Sequence, residues 1–66
     1  ENDLRKLVDN LPEEQKEVVM MRYFGDLSFK EIAEQTNVSI NTALGRMRYA
    51  LINLRKMIKE NQLILT

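Results

Sequence analysis

Two helix starts stand close together in the segment LSFKEIAEQTNVSINT, residues 27–42. Ser28 followed by Glu31 predicts a capping box, in which each side chain satisfies a backbone N–H at the start of a short helix over Phe29–Gln35. Ser39 predicts the N-cap of a second helix soon afterwards. Asn37 between them suits the left-handed backbone of a sharp reversal. Two helices joined by such a short turn form a helix-turn-helix.

The remaining segments also carry helical periodicity. Residues 2–10 place Leu4, Leu7 and Val8 on one face, and Pro12 suits the first turn of a helix that runs to Phe24. Gly25 and Asp26 end that helix. The last helix is expected over Ile40–Lys59. The sequence therefore predicts an all-α fold, a small four-helix domain without winged elements that ends in a long recognition helix. The other expected inward residues of the second and third helices are Leu11, Val18, Val19, Met21, Phe29, Ile32 and Ala33.

The composition excludes several function classes. The chain has neither histidine nor cysteine, so it lacks the commonest metal ligand and any thiolate site. The adjacent Glu13 and Glu14 point in different directions on a helix, and no nucleophile or phosphate-binding loop accompanies them. We therefore expect no enzyme activity, no metal, no cofactor and no small-molecule substrate.

Charge is divided between the two halves of the chain. Residues 1–35 contain five basic and nine acidic side chains, a balance of −4, whereas residues 36–66 contain five basic and one acidic, a balance of +4. This asymmetry fits a domain with an anionic partner on one face, and equally an ordinary solvated helical surface. No apolar run approaches the ~20 residues of a membrane span, which predicts a soluble, intracellular protein without membrane insertion.

The long last helix has an inward and an outward face. At 100° per residue, Ala43, Met47, Ala50, Leu54 and Met57 or Ile58 form one apolar stripe. Gly45 falls opposite the centre of this stripe. A glycine in the interior of a helix lowers its stability by about 1 kcal/mol relative to alanine, so its presence there needs a reason. The outward side also carries Asn41, Arg48, Tyr49, Ile52 and Lys56, flanked by Thr42 and Arg46 on one side and by Leu44 and Arg55 on the other.

This outward face has the chemistry that a helix needs in the DNA major groove. Asn41 can read adenine or a phosphate, Arg46 and Arg48 can bind guanine or phosphate oxygens, and Leu44 can contact a thymine methyl. Arg55 and Lys56 can neutralise further phosphates. The alternative is a tolerated surface glycine among solvated arginines, but the preceding capped helix and tight turn favour insertion into the groove.

The segment from Leu11 to Lys56 resembles region 4 of bacterial RNA polymerase sigma factors, most closely the extracytoplasmic-function branch of the sigma-70 family. The resemblance rests on the leucine-proline opening, RYF before a short polar link, LSFKEIAE as the scaffold helix, and VS with Thr42 at the start of the recognition helix. Arg46, Ala50, Leu54 and Arg55 complete the pattern. These motifs are specific jointly rather than singly.

The resemblance implies a helix-turn-helix that binds the minus-35 promoter element, other surfaces that dock on the β flap of the RNA polymerase core, and a masking anti-sigma factor, all in the cytoplasm. It implies a DNA-facing set of Ser39, Asn41, Thr42, Leu44, Gly45, Arg46 and Tyr49, with Arg48 as a neighbour. Family members usually carry a basic residue and then a serine at the places of Leu44 and Gly45. We expect residues 1–66 to be one such domain, excised from a longer factor that includes a region 2.

Two other functions stay open on the sequence alone. The DNA-binding domain of LuxR-type transcription regulators has a similar scaffold helix and turn. The second open function is that of a helical bundle that binds only proteins. It stays open because the net charge is zero and Ile52 is expected to point outward. The apolar segment NQLILT at residues 61–66 is expected either to fold back on the first two helices or to bind a partner.

Overall fold

The computed structural model describes residues 3–61, which fold into four helices joined by short links. Helix α1 spans Asp3–Asp9, and α2 spans Glu13–Val19 and continues into a π-helical turn over Met20–Phe24. Helices α3 and α4 span Phe29–Thr36 and Ile40–Asn61. No strand occurs within this range, which confirms the predicted small all-α domain. None of its helices combines the length and the apolar character that a membrane span requires.

The helix-turn-helix is formed by α3, the turn at residues 37–39 and α4. The Ser28 N–H donates to the Glu31 carboxylate at 2.8 Å, and the Glu31 N–H donates to the Ser28 hydroxyl at 3.1 Å, so the predicted capping box is confirmed. Asn37 adopts φ 61° and ψ 44°, the predicted left-handed conformation. The Val38 N–H donates to the Ala33 carbonyl at 3.0 Å, which closes the end of α3.

The second helix begins one residue later than predicted, and it ends at the predicted Phe24 but in a π-helical turn. Pro12 lies just before the helix, with ψ 148°, instead of in its first turn, and its carbonyl accepts the N–H groups of Gln15 and Lys16. From Met20 onward the helix widens, because the Gly25 N–H donates to the Met20 carbonyl five residues back, at 2.9 Å. Asp26, and not Gly25, then takes the positive φ of 57°.

The core lies between α4 and the three preceding helices. The predicted stripe on α4 is buried at Ala43, Met47, Ala50 and Leu54, and Met57 and Ile58 pack against it half-buried. The other buried residues are Leu7, Val8, Leu11, Val18, Val19, Ile32 and Ala33. Leu4, which the periodicity places on one face with Leu7 and Val8, is 45% exposed and lines a surface groove together with Val8. Residues 62–66 of the apolar segment at residues 61–66 lie outside the described residues, so its predicted role stays a prediction.

Arg22 ties the π-helical turn to α3. Its guanidinium donates to the Leu27 carbonyl at 2.9 Å and lies 5.3 Å from the centre of the Phe29 ring. A cation over an aromatic face is attracted to the ring in addition to its hydrogen bond. The link before α3 is therefore stabilised by the Arg22 side chain as well as by the capping box. These contacts connect the helix-turn-helix with the end of the second helix.

Candidate nucleic-acid interface

The first turn of α4 is closed by its own side chains. The Ser39 hydroxyl accepts the Thr42 N–H at 3.1 Å and donates to the Thr42 hydroxyl at 3.0 Å. Ser39 therefore caps the helix as predicted, and both hydroxyls lie at the exposed start of α4. Each oxygen keeps an additional lone pair for an outside donor, because a hydroxyl accepts two hydrogen bonds.

The outward face of α4 is exposed around Gly45, as the periodicity predicts. Asn41, Leu44, Arg48 and Tyr49 are all exposed. A Cβ atom added at Gly45 would meet nothing within 4 Å, so the glycine is not required by packing inside the domain. We call this surface, made of Asn41, Leu44, Gly45, Arg48, Tyr49 and Ile52, the outer face of α4.

Three cations on and beside the outer face of α4 form no ion pair within residues 3–61. Arg48, Arg55 and Lys56 are exposed, and no salt bridge involves them within residues 3–61. Arg48 lies beside Leu44 and Ile52 along one shallow depression, and Arg55 stands at the border between this depression and the apolar groove described below. Three cations that have no internal counterion can neutralise anionic groups of a partner.

Arg46 differs from the other predicted DNA contacts. Its guanidinium pairs with the Glu14 carboxylate at 3.3 Å, and its side chain is only 21% exposed. Two helical turns further on along the same flank, the Asn53 amide donates to the Gln15 side-chain carbonyl at 2.7 Å. The structure thus places Arg46 on the flank of α4 beside the start of α2, where it lines a depression next to Gly45 and Tyr49 of the outer face.

An apolar groove that the periodicity did not predict lies on another side of the molecule. It encloses about 330 Å³ between α1, the π-helical turn and α4. Tyr23 and Phe24 stand exposed beside it, and the Arg5 guanidinium lies 5.3 Å from the centre of the Phe24 ring. The remaining lining residues are Leu4, Val8, Val19, Leu51, Leu54, Arg55 and Ile58. The available signal was the adjacent aromatic pair at the end of the second helix.

The capping box also sets the ionisation of Glu31. The hydrogen bond from the Ser28 backbone N–H, together with that of the Ser28 side chain, lowers the pKa of the Glu31 carboxyl below its ordinary value of 4.5. Glu31 therefore caps the N-terminus of α3 in its carboxylate form. Because α3 supports the turn into α4, the Glu31 carboxylate stabilises the part of the fold that holds the candidate interface in place.

Comparison with known proteins identifies relatives of this architecture. Residues 1–51 match the family described as "Sigma-70, region 4". The chain is 35% identical over 63 residues to the RNA polymerase sigma factor SigV of Bacillus subtilis, a match that covers 96% of this chain and 38% of that protein. It is 36% identical over 53 residues to the ECF RNA polymerase sigma factor RpoE of Cereibacter sphaeroides, covering 80% of this chain and 29% of that protein. The chain thus spans about a third of the length of these relatives. No solved structure matches it.

Proposed function

This chain belongs to the sigma-70 region 4 family, in the extracytoplasmic-function branch, and we propose from this that it binds the minus-35 element of promoters. It does so as part of a longer sigma factor that directs RNA polymerase to begin transcription in the cytoplasm. The observation that carries this proposal is the outer face of α4, which the left-handed turn at Asn37 presents with polar groups, a cation and open space at Gly45.

Each contact of the proposed interface follows from side-chain chemistry. Asn41 and Arg48 can donate to base edges or phosphates, and Leu44 and Tyr49 can supply apolar contact along the DNA groove. Ser39 and Thr42 meet the sugar-phosphate backbone at the start of α4. Arg55 and Lys56 neutralise phosphates further along the helix. At Gly45 the helix backbone comes closest to the DNA.

The affinity of this chain for DNA should be low when it acts alone. If Arg48, Arg55 and Lys56 each neutralise one phosphate, the logarithm of affinity falls with the logarithm of salt concentration at a slope of about −2.7. Proteins that bind DNA tightly make about twice as many or more phosphate contacts. We therefore propose that promoter recognition depends on attachment to RNA polymerase through other parts of the sigma factor.

The apolar groove is the proposed docking site for the β flap of the polymerase core. The α4 residues that line it are Leu51, Leu54, Arg55 and Ile58. None of them belongs to the outer face, so a partner seated in the groove leaves that face accessible, with Arg55 at the border between the two surfaces. Exposed aromatic and aliphatic side chains around a concave surface are typical of protein-binding sites. An anti-sigma factor that covered this groove or the outer face would mask the domain.

The test is footprinting of candidate promoters with core polymerase and the full-length factor that carries this chain. We expect protection of the minus-35 element, and Arg48→Ala should reduce occupancy about fivefold to about a hundredfold, the cost of one lost DNA contact. Lys6→Ala is the matched control, since it removes an exposed cation from α1. Equal occupancy of the Arg48→Ala variant and the control would indicate instead a helical bundle that binds only proteins.

A further inference from the structure

We propose that Arg46 is a positioning residue of the recognition helix instead of a DNA contact, and that it works through Glu14 at the start of α2. This inference rests on the proposed DNA-binding function of α4. It assigns a role to Arg46, which belongs to the recognition helix α4 but lies on the flank of that helix that faces α2. It also assigns a role to Glu14, which the sequence presents only as an acidic residue in the first turn of a helix.

Two polar contacts connect α4 with the start of α2. The Arg46 guanidinium lies 3.3 Å from the Glu14 carboxylate, and the Asn53 amide lies 2.7 Å from the Gln15 side-chain oxygen. Arg46 and Asn53 are two helical turns apart and therefore share one flank of α4. Their partners are consecutive residues of α2. We call this pair of contacts the α2–α4 brace.

The brace supplies a directional constraint that the apolar core lacks. Two of the buried residues on α4 are the small Ala43 and Ala50, and apolar burial is itself non-directional. Hydrogen bonds and ion pairs depend on angle and distance. Contacts at two levels of one flank therefore fix the rotation of α4 about its own axis. That rotation decides where Gly45 and Arg48 point.

The exposure of the two partners supports this role. Arg46 is 21% exposed and Glu14 is 72% exposed, so the guanidinium is largely covered while the carboxylate faces solvent. An arginine that reached DNA would have to leave Glu14 and become more exposed. If Arg46 did bind a phosphate, Glu14 would compete for the guanidinium and repel the DNA. The two roles therefore predict opposite effects of removing the Glu14 charge.

The experiment measures binding of the full-length factor that carries this chain, assembled with core polymerase, to a DNA duplex that the wild-type assembly selects from a randomised pool. Fluorescence anisotropy titrations are run between about 20 and about 150 mM salt, where counterion release dominates the affinity. The variants are Glu14→Gln, Arg46→Gln and the double substitution. Glu13→Gln is the matched control, because it removes the same charge one residue away and Glu13 has no ion pair within residues 3–61. Circular dichroism checks the helical content of each variant.

The brace predicts that Glu14→Gln and Arg46→Gln each weaken DNA binding by about two- to fivefold, the range that a single exposed ion pair supports. The double variant should bind no more weakly than the single ones. The salt slope should be the same as in the wild-type chain, and Glu13→Gln should not weaken binding. The charge-swapped variant Glu14→Arg with Arg46→Glu should bind more tightly than Arg46→Glu alone.

Other results would overturn the inference. A salt slope reduced by about 0.9 in Arg46→Gln would identify a phosphate contact, as would tighter binding in Glu14→Gln. Wild-type affinity in both single variants would leave the brace without a role. A wild-type factor that selects no duplex together with core polymerase would contradict the proposed DNA-binding function itself, and this result is read from the unmodified protein before any variant is compared.

Discussion

Replacement of Gly45 by alanine separates a glycine that serves DNA binding from one that is merely tolerated. In the free domain the change should be stabilising, because the site is in a helix interior and the added Cβ meets nothing within 4 Å. The gain is the difference in helix propensity, about 0.4–1 kcal/mol, with no packing penalty to set against it. For a domain of this size the gain corresponds to a melting temperature about 2–8 °C higher.

Promoter binding should change in the opposite direction. If the α4 backbone lies against the DNA at Gly45, a methyl group enters a packed interface, where overpacking costs about 1–3 kcal/mol. This corresponds to a loss of binding between about fivefold and about a hundredfold. Thermal melts and anisotropy titrations on one preparation give both quantities. Higher stability with undiminished promoter binding would refute the close approach that we propose.

Gly25 provides the matched control for the stability measurement. A Cβ atom there would lie 2.8 Å from the backbone carbonyl oxygen of Met21, which cannot move aside as a flexible side chain would. Gly25→Ala should therefore lower the melting temperature, although it makes the same chemical change. Opposite shifts at the two glycines would show that the effect of Gly45→Ala comes from its open surroundings.

Three further predictions concern the scaffold, the outer face and the groove. The folded-state pKa of Glu31 lies below its ordinary value of 4.5, so its contribution to stability is present above that value and is lost as pH falls through the folded pKa. Glu31→Gln should flatten this part of the curve of melting temperature against pH, and an unchanged curve would contradict the capping role. Leu44→Arg adds a cation on the outer face, so the salt slope of DNA binding should steepen by about 0.9; an unchanged slope would mean that this face does not meet phosphates. Phe24→Ala should weaken pull-down of the polymerase core while Tyr49→Ala, which removes an equally exposed aromatic (57% and 59% exposed), should not; equal losses would argue against docking in the groove.

Local patterns in the sequence were sufficient to predict the helix-turn-helix. The capping box at Ser28, the left-handed residue at Asn37 and the cap at Ser39 each depend on neighbours a few positions away. The orientation of α4 follows from a single period along 22 residues. Helix α3 ends one residue beyond the predicted Gln35, and α4 continues past Lys59 to Asn61. Such differences are expected because helix ends fray.

The features that the sequence did not reveal depend on contacts between distant segments. Arg46 and Glu14 are 32 positions apart, so no local period shows that this cation already has a partner. The groove exists because α1 meets the end of the second helix and α4, an arrangement set by packing of the whole domain. The spacing places Leu4 on one face with Leu7 and Val8, but it does not show that this face extends past the core, so that Leu4 lines the groove and stays 45% exposed.

The π-helical turn at Met20–Phe24 sets the angular phase of the residues that follow it. An α-helix advances about 100° per residue, and a turn closed over five residues instead of four advances more slowly. The side chains of Tyr23 and Phe24 therefore point in a different direction around the helix axis from the one they would have if the α-helix of Val18 and Val19 continued unchanged. Deleting one residue of this turn would restore the ordinary phase and rotate both aromatic rings away from their present positions. The turn thus works as an angular offset between the core-packing half of the second helix and its aromatic end.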